Sequence, residues 1–310
     1  MGLAEELLEI AEKDIDASKI LYENKFYPQA IFYFAQSVEK ANKSMAALTG
    51  SYDEKYFSRK IGHEAIKIHQ KNSRRTQQKF GRILEHSRKN PMYKKLPLFE
   101  ESSIKTVIEQ SDNIIQEIDV IKEQKDDLLF IKATEINEAL RELSKGKRHV
   151  QKYIQKLSEV DIDANQWMNN ITKMSEILPD NHELKEASLE FIKNSEKVNF
   201  GFLWEAVKHL YVVNLKSVIV TMPLYYLSVI TLPLASVSRY PENGKNPLEI
   251  FTKKLPLVRK LPILIEAHYE TLQDFKEFYA LWNDLANKFN PEVFIGSNET
   301  KNKIETNDQY

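Results

Sequence analysis

Two arginine–histidine pairs carry the residue types that metal-free RNA cleavage needs. Arg59 precedes His63, and Arg82 precedes His86, with three residues inside each pair. Attack by a 2′-hydroxyl needs a base with a pKa near neutral and a cation that stabilises charge on the phosphate, and histidine with arginine supplies both. At this spacing the two side chains of a pair share one face of a helix. Arg59 and His63 are therefore our candidate catalytic residues, and an ordinary surface pair is the alternative.

A second group of residues is suited to holding a phosphate group. Arg239 and Tyr240 follow a long apolar run. A planar guanidinium can hold a phosphate through two hydrogen bonds, and Lys43 is the lysine we expect in the same groove. In the alternative, Arg239 is structural and bonds the carbonyl groups at a helix end.

The strongest local excess of basic residues runs from Lys71 to Lys95 and includes Arg74 and Arg75. Such a run is suited to following a nucleic-acid backbone, although many charge runs are only solvated helix faces. The whole chain has 44 basic and 45 acidic residues, so its net charge of -1 provides no overall field that attracts nucleic acid. Any basic binding surface must therefore be local.

Several kinds of site are excluded or disfavoured by the sequence. The chain has no cysteine, which excludes disulfides, a thiol nucleophile and cysteine-ligated zinc. His63 and His69 with Glu64 offer no third ligand that we can identify, and Gly-rich phosphate loops and nucleophile elbows are missing. We therefore expect no metal and no cofactor. The acidic, amphipathic start does not resemble a signal peptide, so we expect a cytoplasmic protein.

Apolar residues recur every three or four positions through most of the chain, which predicts helices. With only 8 glycines, the composition favours an all-α fold. Asp14 is the one charge on the first apolar stripes; we expect it to pair with a cation such as Lys43 or to cap a neighbouring helix. The first helix has two adjacent stripes, which are Leu8, Ala11, Ile15, Ser18 and Tyr22 beside Leu7, Ile10, Asp14, Ala17 and Leu21. The predicted buried stripe of the second helix is Ile31, Phe34, Val38, Ala41, Met45 and Leu48.

Three further helical regions follow. A third helix is predicted from Tyr56 through "FSRKIGHEAIKIHQK". The stretch from about Ser102 to Val160 predicts a long helical hairpin or coiled coil with its turn near Gly146. The last helix is predicted to bury Leu257, Leu261, Leu264, Ile265, His268, Leu272, Phe275 and Phe278.

The segment 217–238 carries no charge and is about as long as a bilayer-spanning helix. Pro223 and Pro233, together with several Ser and Thr residues, favour a kinked helix in a protein core. We expect the core helix and no membrane, and membrane attachment through 217–238 is the alternative.

Three segments, in this order, resemble HEPN domains. The opening "AEKDIDASKILYENKFYPQAIFYFAQSVEKANKSMAAL" resembles their first helical hairpin, with an Asp in one helix and Gln, Glu-Lys and a second Lys in the other. "IGHEAIKI" resembles the short His-led helix that follows. "SRYPE" with "NPLEIFTKK" resembles the family's Arg-Tyr-Pro turn before its closing helix. The resemblance covers about residues 4–72 and 215–285.

The resemblance implies a HEPN-like antiparallel helical bundle built from two distant parts of the chain. These parts are residues 1–72 and 206–290, and an elongated, coiled-coil-like helical insertion over 73–205 separates them. The polar tail, 291–310, is predicted to be disordered.

HEPN domains include metal-independent RNases of toxin–antitoxin, CRISPR and abortive-infection systems, and also non-catalytic partners of nucleotidyltransferases. The resemblance implies a homodimeric protein of defence or toxin–antitoxin type that binds RNA or a nucleotide. It also implies an antitoxin or a nucleotidyltransferase as a protein partner. RNase members place the Arg and the His farther apart than Arg59 and His63 are here. Endoribonuclease activity is therefore left open. The alternative is a non-catalytic interaction module whose insertion binds a protein partner.

Overall fold

A computed structural model describes residues 2–49, 52, 54–89, 100–160, 163–177, 183–193, 200–238 and 246–288. Regular secondary structure in these residues is helical throughout, which confirms the predicted all-α class. The helices are α1 (Leu3–Glu23), α2 (Tyr27–Leu48), α3 (Glu54–Tyr56), α4 (Ile66–Lys89), α5 (Glu101–Glu123), α6 (Ala133–Ser158), α7 (Ala164–Ile177), α8 (Glu183–Lys193), α9 (Phe200–Thr231), α10 (Leu234–Val237), α11 (Pro247–Ile250) and α12 (Pro256–Lys288). A π-helical turn, Phe57–Ile61, follows α3, and a 3-10 turn, Asp127–Phe130, precedes α6.

The main hydrophobic core joins the two ends of the chain. Helices α1 and α2 form a hairpin, and α9 and α12 pack against α2 and against each other. The stripes predicted for α2 and α12 and the first stripe of α1 pack in this core, which confirms them. The second stripe of α1 is not fully buried, because Ile10 is 41% exposed. Burying each large aliphatic side chain contributes about 1.5–3 kcal/mol, so these stripes are the main driving force for the bundle.

Serine hydroxyls fix the register of the first hairpin. Ser18 Oγ donates to the carbonyl of Ala30 at 2.7 Å, and Ser37 Oγ donates to the carbonyl of Ala11 at 2.6 Å. Small residues at this interface let the two helices approach closely enough for these contacts. Because the register of α2 is fixed, so is the direction in which its charged face points.

The predicted turn near Gly146 is wrong. Gly146 lies inside α6, and the chain turns between Glu123 and Ala133 instead. A single glycine weakens a helix by only about 1 kcal/mol relative to alanine, so it does not end one. Leu129 and Ile136, which flank the end of this turn, are buried in the main core and fix its position.

Helices α5 and α6 do not pair as the hairpin that the sequence predicts. Helix α5 packs along α4, whereas α6 packs on α9 and α12. Each of these helices has an apolar stripe, and such a stripe does not specify which partner helix will cover it.

The predicted third helix is interrupted. After α3 and the π-helical turn, Gly62 adopts a φ of +59°, and α4 starts only at Ile66. A positive φ breaks the helical path and is readily adopted by glycine. The residues before and after Gly62 therefore do not share one helical face.

One described helix, over Trp204–Thr231, is long and apolar enough to cross a membrane by length and composition alone. It belongs to α9, and Val213, Val220 and Leu227 on it are buried in the main core. Tyr211 on the same helix is exposed. Helix α9 therefore contributes one face to the bundle, as a core helix does.

Candidate functional site

An ion pair joins α1 to α2 beside the candidate site. Lys40 Nζ hydrogen-bonds Asp14 Oδ2, and both side chains are largely buried. Asp14 is therefore paired with a cation, as expected, but the predicted partner Lys43 is wrong. Lys43 instead binds Glu39, which lies one helical turn before it.

Glu39 is a buried carboxylate with three side-chain partners. Lys43 Nζ donates to its Oε1 at 2.6 Å, and Gln36 Nε2 donates to its Oε2 at 3.4 Å. His63 Nδ1 lies 3.1 Å from the same Oε2. Only 8% of the Glu39 side chain is exposed, so these partners must compensate for the water it has lost.

The contact with Glu39 orients the ring of His63. A carboxylate only accepts hydrogen bonds, so Nδ1 carries the proton that faces Glu39. In the neutral ring, Nε2 then has a lone pair available outside this contact. The ring is 59% exposed, so His63 has the geometry of a general base whose orientation is set by a carboxylate.

Arg59 and His63 are not side by side on one helix, so that part of the prediction is wrong. Arg59 is exposed on the π-helical turn, and Gly62, with a φ of +59°, ends that turn before His63. Lys43 and His63, by contrast, are brought together because both bind Glu39.

A cavity of about 520 Å³ opens beside His63. Besides His63, its charged wall consists of Glu64, Lys67, Lys122 and Lys125. His63 and Glu64 lie just before α4, and Lys67 lies in its first turn. Lys122 lies at the end of α5, and Lys125 lies two residues after that helix. The packing of α5 on α4 therefore places three lysines and a histidine around one space.

The charges around this cavity are mostly positive. Lys67 binds Glu64 at 3.1 Å, and Lys122 donates to Gln70 Oε1. Burial lowers the pKa of Lys122, and the nearby Asp119 carboxylate opposes that shift. Arg74 adds a further positive charge near Lys122.

Lys125 is exposed. Its side chain has no ion pair to any residue in the described ranges, so it can meet an incoming anion without breaking an existing contact.

Arg75 and Lys71 are packed on aromatic rings. The rings of Tyr52 and Tyr56 stack with their centroids 4.5 Å apart. The Arg75 guanidinium lies 4.3 Å from the centroid of Tyr52, and Lys71 Nζ lies 4.5 Å from that of Tyr56. These cation–π contacts give both side chains a structural role at the start of α4. Arg74, by contrast, is exposed on α4.

The other predicted site residues lie elsewhere. Arg82 and His86 are exposed on α4, four residues apart, as the sequence predicts. Arg239 and Tyr240 lie outside the described residues, so their assignment to a phosphate-binding groove stays a prediction.

His69 has a structural role. Its Nε2 lies 2.7 Å from Asn42 Oδ1, and Asn42 Nδ2 donates to Ser228 Oγ at 3.0 Å. Burial lowers the pKa of His69 to about 4, so the ring is neutral near pH 7 and donates its Nε2 proton to Asn42. Across the described parts of the chain, no group of three or more His, Asp or Glu residues could hold a metal ion.

Sequence reasoning did not find Glu39, Lys67, Lys122 or Lys125. Glu39 occurs in the quoted "EK" of α2, but nothing local indicates that its carboxylate is buried beside His63. Lys122 and Lys125 stand 55 or more residues from Lys67 in an ordinary charged segment. Their role depends on the packing of α5 against α4.

Comparison with known proteins gives a match for the first part of the chain. The model of the HEPN domain matches residues 4–123, from α1 to the end of α5. No curated protein and no solved structure matches the chain. The matched range contains Glu39, His63, Lys67 and Lys122, and Lys125 lies two residues beyond it. The division of the chain into four segments stays a prediction. Residues 4–123 of this chain therefore form a segment that matches the HEPN domain.

Proposed function

We propose that this HEPN protein binds the phosphate groups of RNA or of a nucleotide in the cavity beside His63. The observation that carries the proposal is that Lys67, Lys122 and Lys125 line one cavity with a histidine whose ring is oriented by Glu39. Lysine is a common point-charge ligand for phosphate. A role in defence or in a toxin–antitoxin system, in the cytoplasm, is part of the proposal and is supported only by the family.

The same residues are suited to RNA cleavage. His63 Nε2 would take the proton from a 2′-hydroxyl, whose oxygen forms a bond to the adjacent phosphorus. The bond from phosphorus to the 5′-oxygen breaks, and that oxygen is protonated by His63 or water. The products are a 2′,3′-cyclic phosphate and a 5′-hydroxyl. The lysines would stabilise the charge that develops on phosphate oxygens.

Binding without cleavage is the second candidate function. It is favoured by the position of Arg59, which does not line the cavity and so is not aimed at a phosphate held there. In this case the domain is a non-catalytic interaction module that meets an antitoxin, a nucleotidyltransferase or another protein. In either case we propose a homodimer, which light scattering at high protein concentration would test; a monomeric mass would contradict it.

The experiment compares wild-type protein with His63→Ala, Lys122→Gln and Arg59→Ala variants on total RNA and tRNA, in chelator and without added metal. Cleavage that is lost in His63→Ala and reduced in Lys122→Gln supports the RNase. If no variant and no wild-type protein cleaves RNA, but Lys122→Gln binds RNA more weakly than wild type, the non-catalytic interaction module is supported.

Lys13→Gln is the matched control, because Lys13 is exposed on α1 and pairs with Glu9. If neither RNA nor nucleoside triphosphates bind the folded wild-type protein, or if Lys13→Gln weakens binding as much as Lys122→Gln, the proposal is wrong.

A further inference from the structure

Helix α6 carries a row of basic side chains along one face. Its members, which we call the basic stripe, are all exposed: Arg141, Lys145, Arg148, Lys152 and Lys156. They follow one another at intervals of three or four residues, so they share one face of the helix. A rise of about 1.5 Å per residue gives the stripe a length of about 22 Å. The range 141–156 has six basic residues and one acidic residue, in a chain whose overall net charge is -1.

Packing on α9 and α12 holds this helix in place. Ile136, in its first turn, is fully buried in the main core. Lys147 lies on the side of α6 opposite the stripe, and its Nζ binds Asp274 Oδ2 of α12 at 2.5 Å. Just after the helix, Trp204 Nε1 of α9 donates to the carbonyl of Val160 at 3.1 Å. The basic stripe therefore lies on the outer face of a helix that is fixed to the bundle.

The second half of the stripe has no acidic partner. Arg141 and Lys145, at its start, pair with glutamates of the same helix. Arg148, Lys152 and Lys156 form no ion pair with any residue in the described ranges. These three cations can therefore meet an anionic partner without breaking an existing ion pair.

Two exposed aromatic rings lie among these cations. His149 and Tyr153 are one helical turn apart, with their ring centroids 4.9 Å apart. The Tyr153 residue is 54% exposed. Lys152 follows His149 by three residues, and Lys156 follows Tyr153 by three, so each ring has a lysine as a neighbour on the helix surface. Exposed rings beside cations are suited to single-stranded nucleic acid, because its bases stack on the rings while its phosphates contact the cations.

We propose that the basic stripe binds the backbone of a single-stranded nucleic acid, whose bases stack on Tyr153 and His149. Other anionic partners fit less well. Leu143, Val150 and Leu157 of α6 are half-buried, so the helix has no free apolar face to insert into an anionic membrane. Within α6, which is described in full, Tyr153 is the one exposed large hydrophobic residue, whereas a protein interface needs an apolar centre.

This surface lies outside the range that matches the HEPN domain. The proposal does not rest on phosphate binding in the cavity beside His63, which is lined by residues of other segments.

The test measures the binding of fluorescent oligouridine and oligothymidine to the full chain by anisotropy over a series of salt concentrations. The triple variant Lys145→Gln/Lys152→Gln/Lys156→Gln should lower the slope of log affinity against log salt by about 2, since each lysine contact to a phosphate contributes about 0.7. Tyr153→Leu should weaken binding about five- to hundredfold, as one lost base stack does, and leave the slope unchanged. The two oligonucleotides show whether RNA or DNA is preferred.

Matched controls carry the same changes elsewhere. Lys13→Gln/Lys19→Gln/Lys276→Gln removes three exposed, ion-paired lysines from α1 and α12 and should leave the slope unchanged. Tyr211→Leu removes an exposed ring from α9 and should leave the affinity unchanged.

The proposal is overturned if the folded wild-type protein binds neither oligonucleotide, if the stripe variant lowers the slope no more than its control, or if Tyr153→Leu binds as tightly as wild type. It is also overturned if the stripe variant loses binding to phosphatidylserine vesicles while its binding of oligonucleotides stays that of wild type. If the triple variant fails to fold by circular dichroism, Lys156→Gln alone decides and should lower the slope by about 0.7. Lys122→Gln, which alters the cavity beside His63, should leave the effect of the stripe variant in place, so the two proposals can fail separately.

Discussion

Nδ1 of His63 lies 3.1 Å from Oε2 of the buried Glu39, which links α2 to the turn before α4. The same carboxylate also binds Lys43 at 2.6 Å. The buried Glu39 carboxylate thus binds both Lys43 on its own helix and His63 in the turn before α4. The position of His63 at the lysine-lined cavity depends on this contact.

Replacing Glu39 with Gln should destabilise the fold. The change removes the charge that compensates Lys43, whose side chain is only 14% exposed. Leaving a buried charged group poorly paired costs about 1–3 kcal/mol in the free energy of unfolding. Urea denaturation checks this, with Glu266→Gln as control because Glu266 pairs with Lys19 at an exposed surface. A loss no larger than that of the control would contradict a stabilising role for Glu39.

Gly62→Ala and Gly81→Ala should change stability in opposite directions. Gly62 has a φ of +59°, which an alanine adopts only with strain, so we expect a loss of about 1–3 kcal/mol. Gly81 lies inside α4, and an added Cβ meets no atom within 4 Å. Alanine there should stabilise by about 0.5–1 kcal/mol because it is the better helix former. Thermal and urea unfolding measure both, and a stabilised Gly62→Ala variant would contradict the positive φ.

Ile136→Ala tests whether α6 belongs to the main core. Ile136 is fully buried in the cluster that includes residues of α1 and α12. Truncation should therefore lower the free energy of unfolding by about 2–5 kcal/mol in a single transition. Val160→Ala, at a residue 46% exposed, should change it by no more than about 0.5 kcal/mol. A similar, small effect of both changes would indicate that α6 is not part of the bundle.

Two buried histidines should make the protein sensitive to acid. Burial lowers the pKa of His268 to about 3 and that of His69 to about 4, whereas an unfolded histidine titrates near pH 6.5. As the pH falls below about 6.5, the unfolded chain binds protons that the folded chain does not. Stability therefore falls with pH, by up to about 1.4 kcal/mol per pH unit for each histidine, until the folded pKa is reached.

The acid sensitivity can be assigned with a variant. Urea denaturation of wild type and His268→Met between about pH 7 and pH 4 should give a shallower pH dependence for the variant, because one titrating group is removed. His86→Met is the control, since His86 is exposed on α4. Equal slopes for wild type and His268→Met would show that His268 does not titrate differently in the folded and unfolded states.

Lys125→Gln should reduce the salt dependence of RNA binding, if the proposed function holds. Each lysine that contacts a phosphate of single-stranded nucleic acid contributes about 0.7 to the slope of log affinity against log salt. The variant should therefore lower that slope by about 0.7, while Lys13→Gln leaves it unchanged. Fluorescence anisotropy over a series of salt concentrations measures the slope. If the slope is unchanged in Lys125→Gln, Lys125 does not contact the RNA phosphates.

The helices of the bundle follow from the sequence by itself. In α1, α2 and α12 the apolar side chains recur every three or four residues, and most of those positions are buried, with Ile10 an exposed exception. This agreement is expected, since the periodicity of a helix is local and is set by the backbone geometry. The first two HEPN-like segments lie within the range, residues 4–123, that matches the HEPN domain, whereas the third segment lies outside it.

Only the tertiary structure decided which helices meet and what they place together. Helix α5 packs on α4, and this brings Lys122 and Lys125 to Lys67 and His63, although nothing in the local sequence links these residues. Likewise, the spacing of Arg59 and His63 predicted one shared helix face, but Gly62 turns the chain between them. An apolar stripe predicts that one face of a helix will be buried. Which helix packs against that face depends on how the apolar stripes of all the helices are buried together.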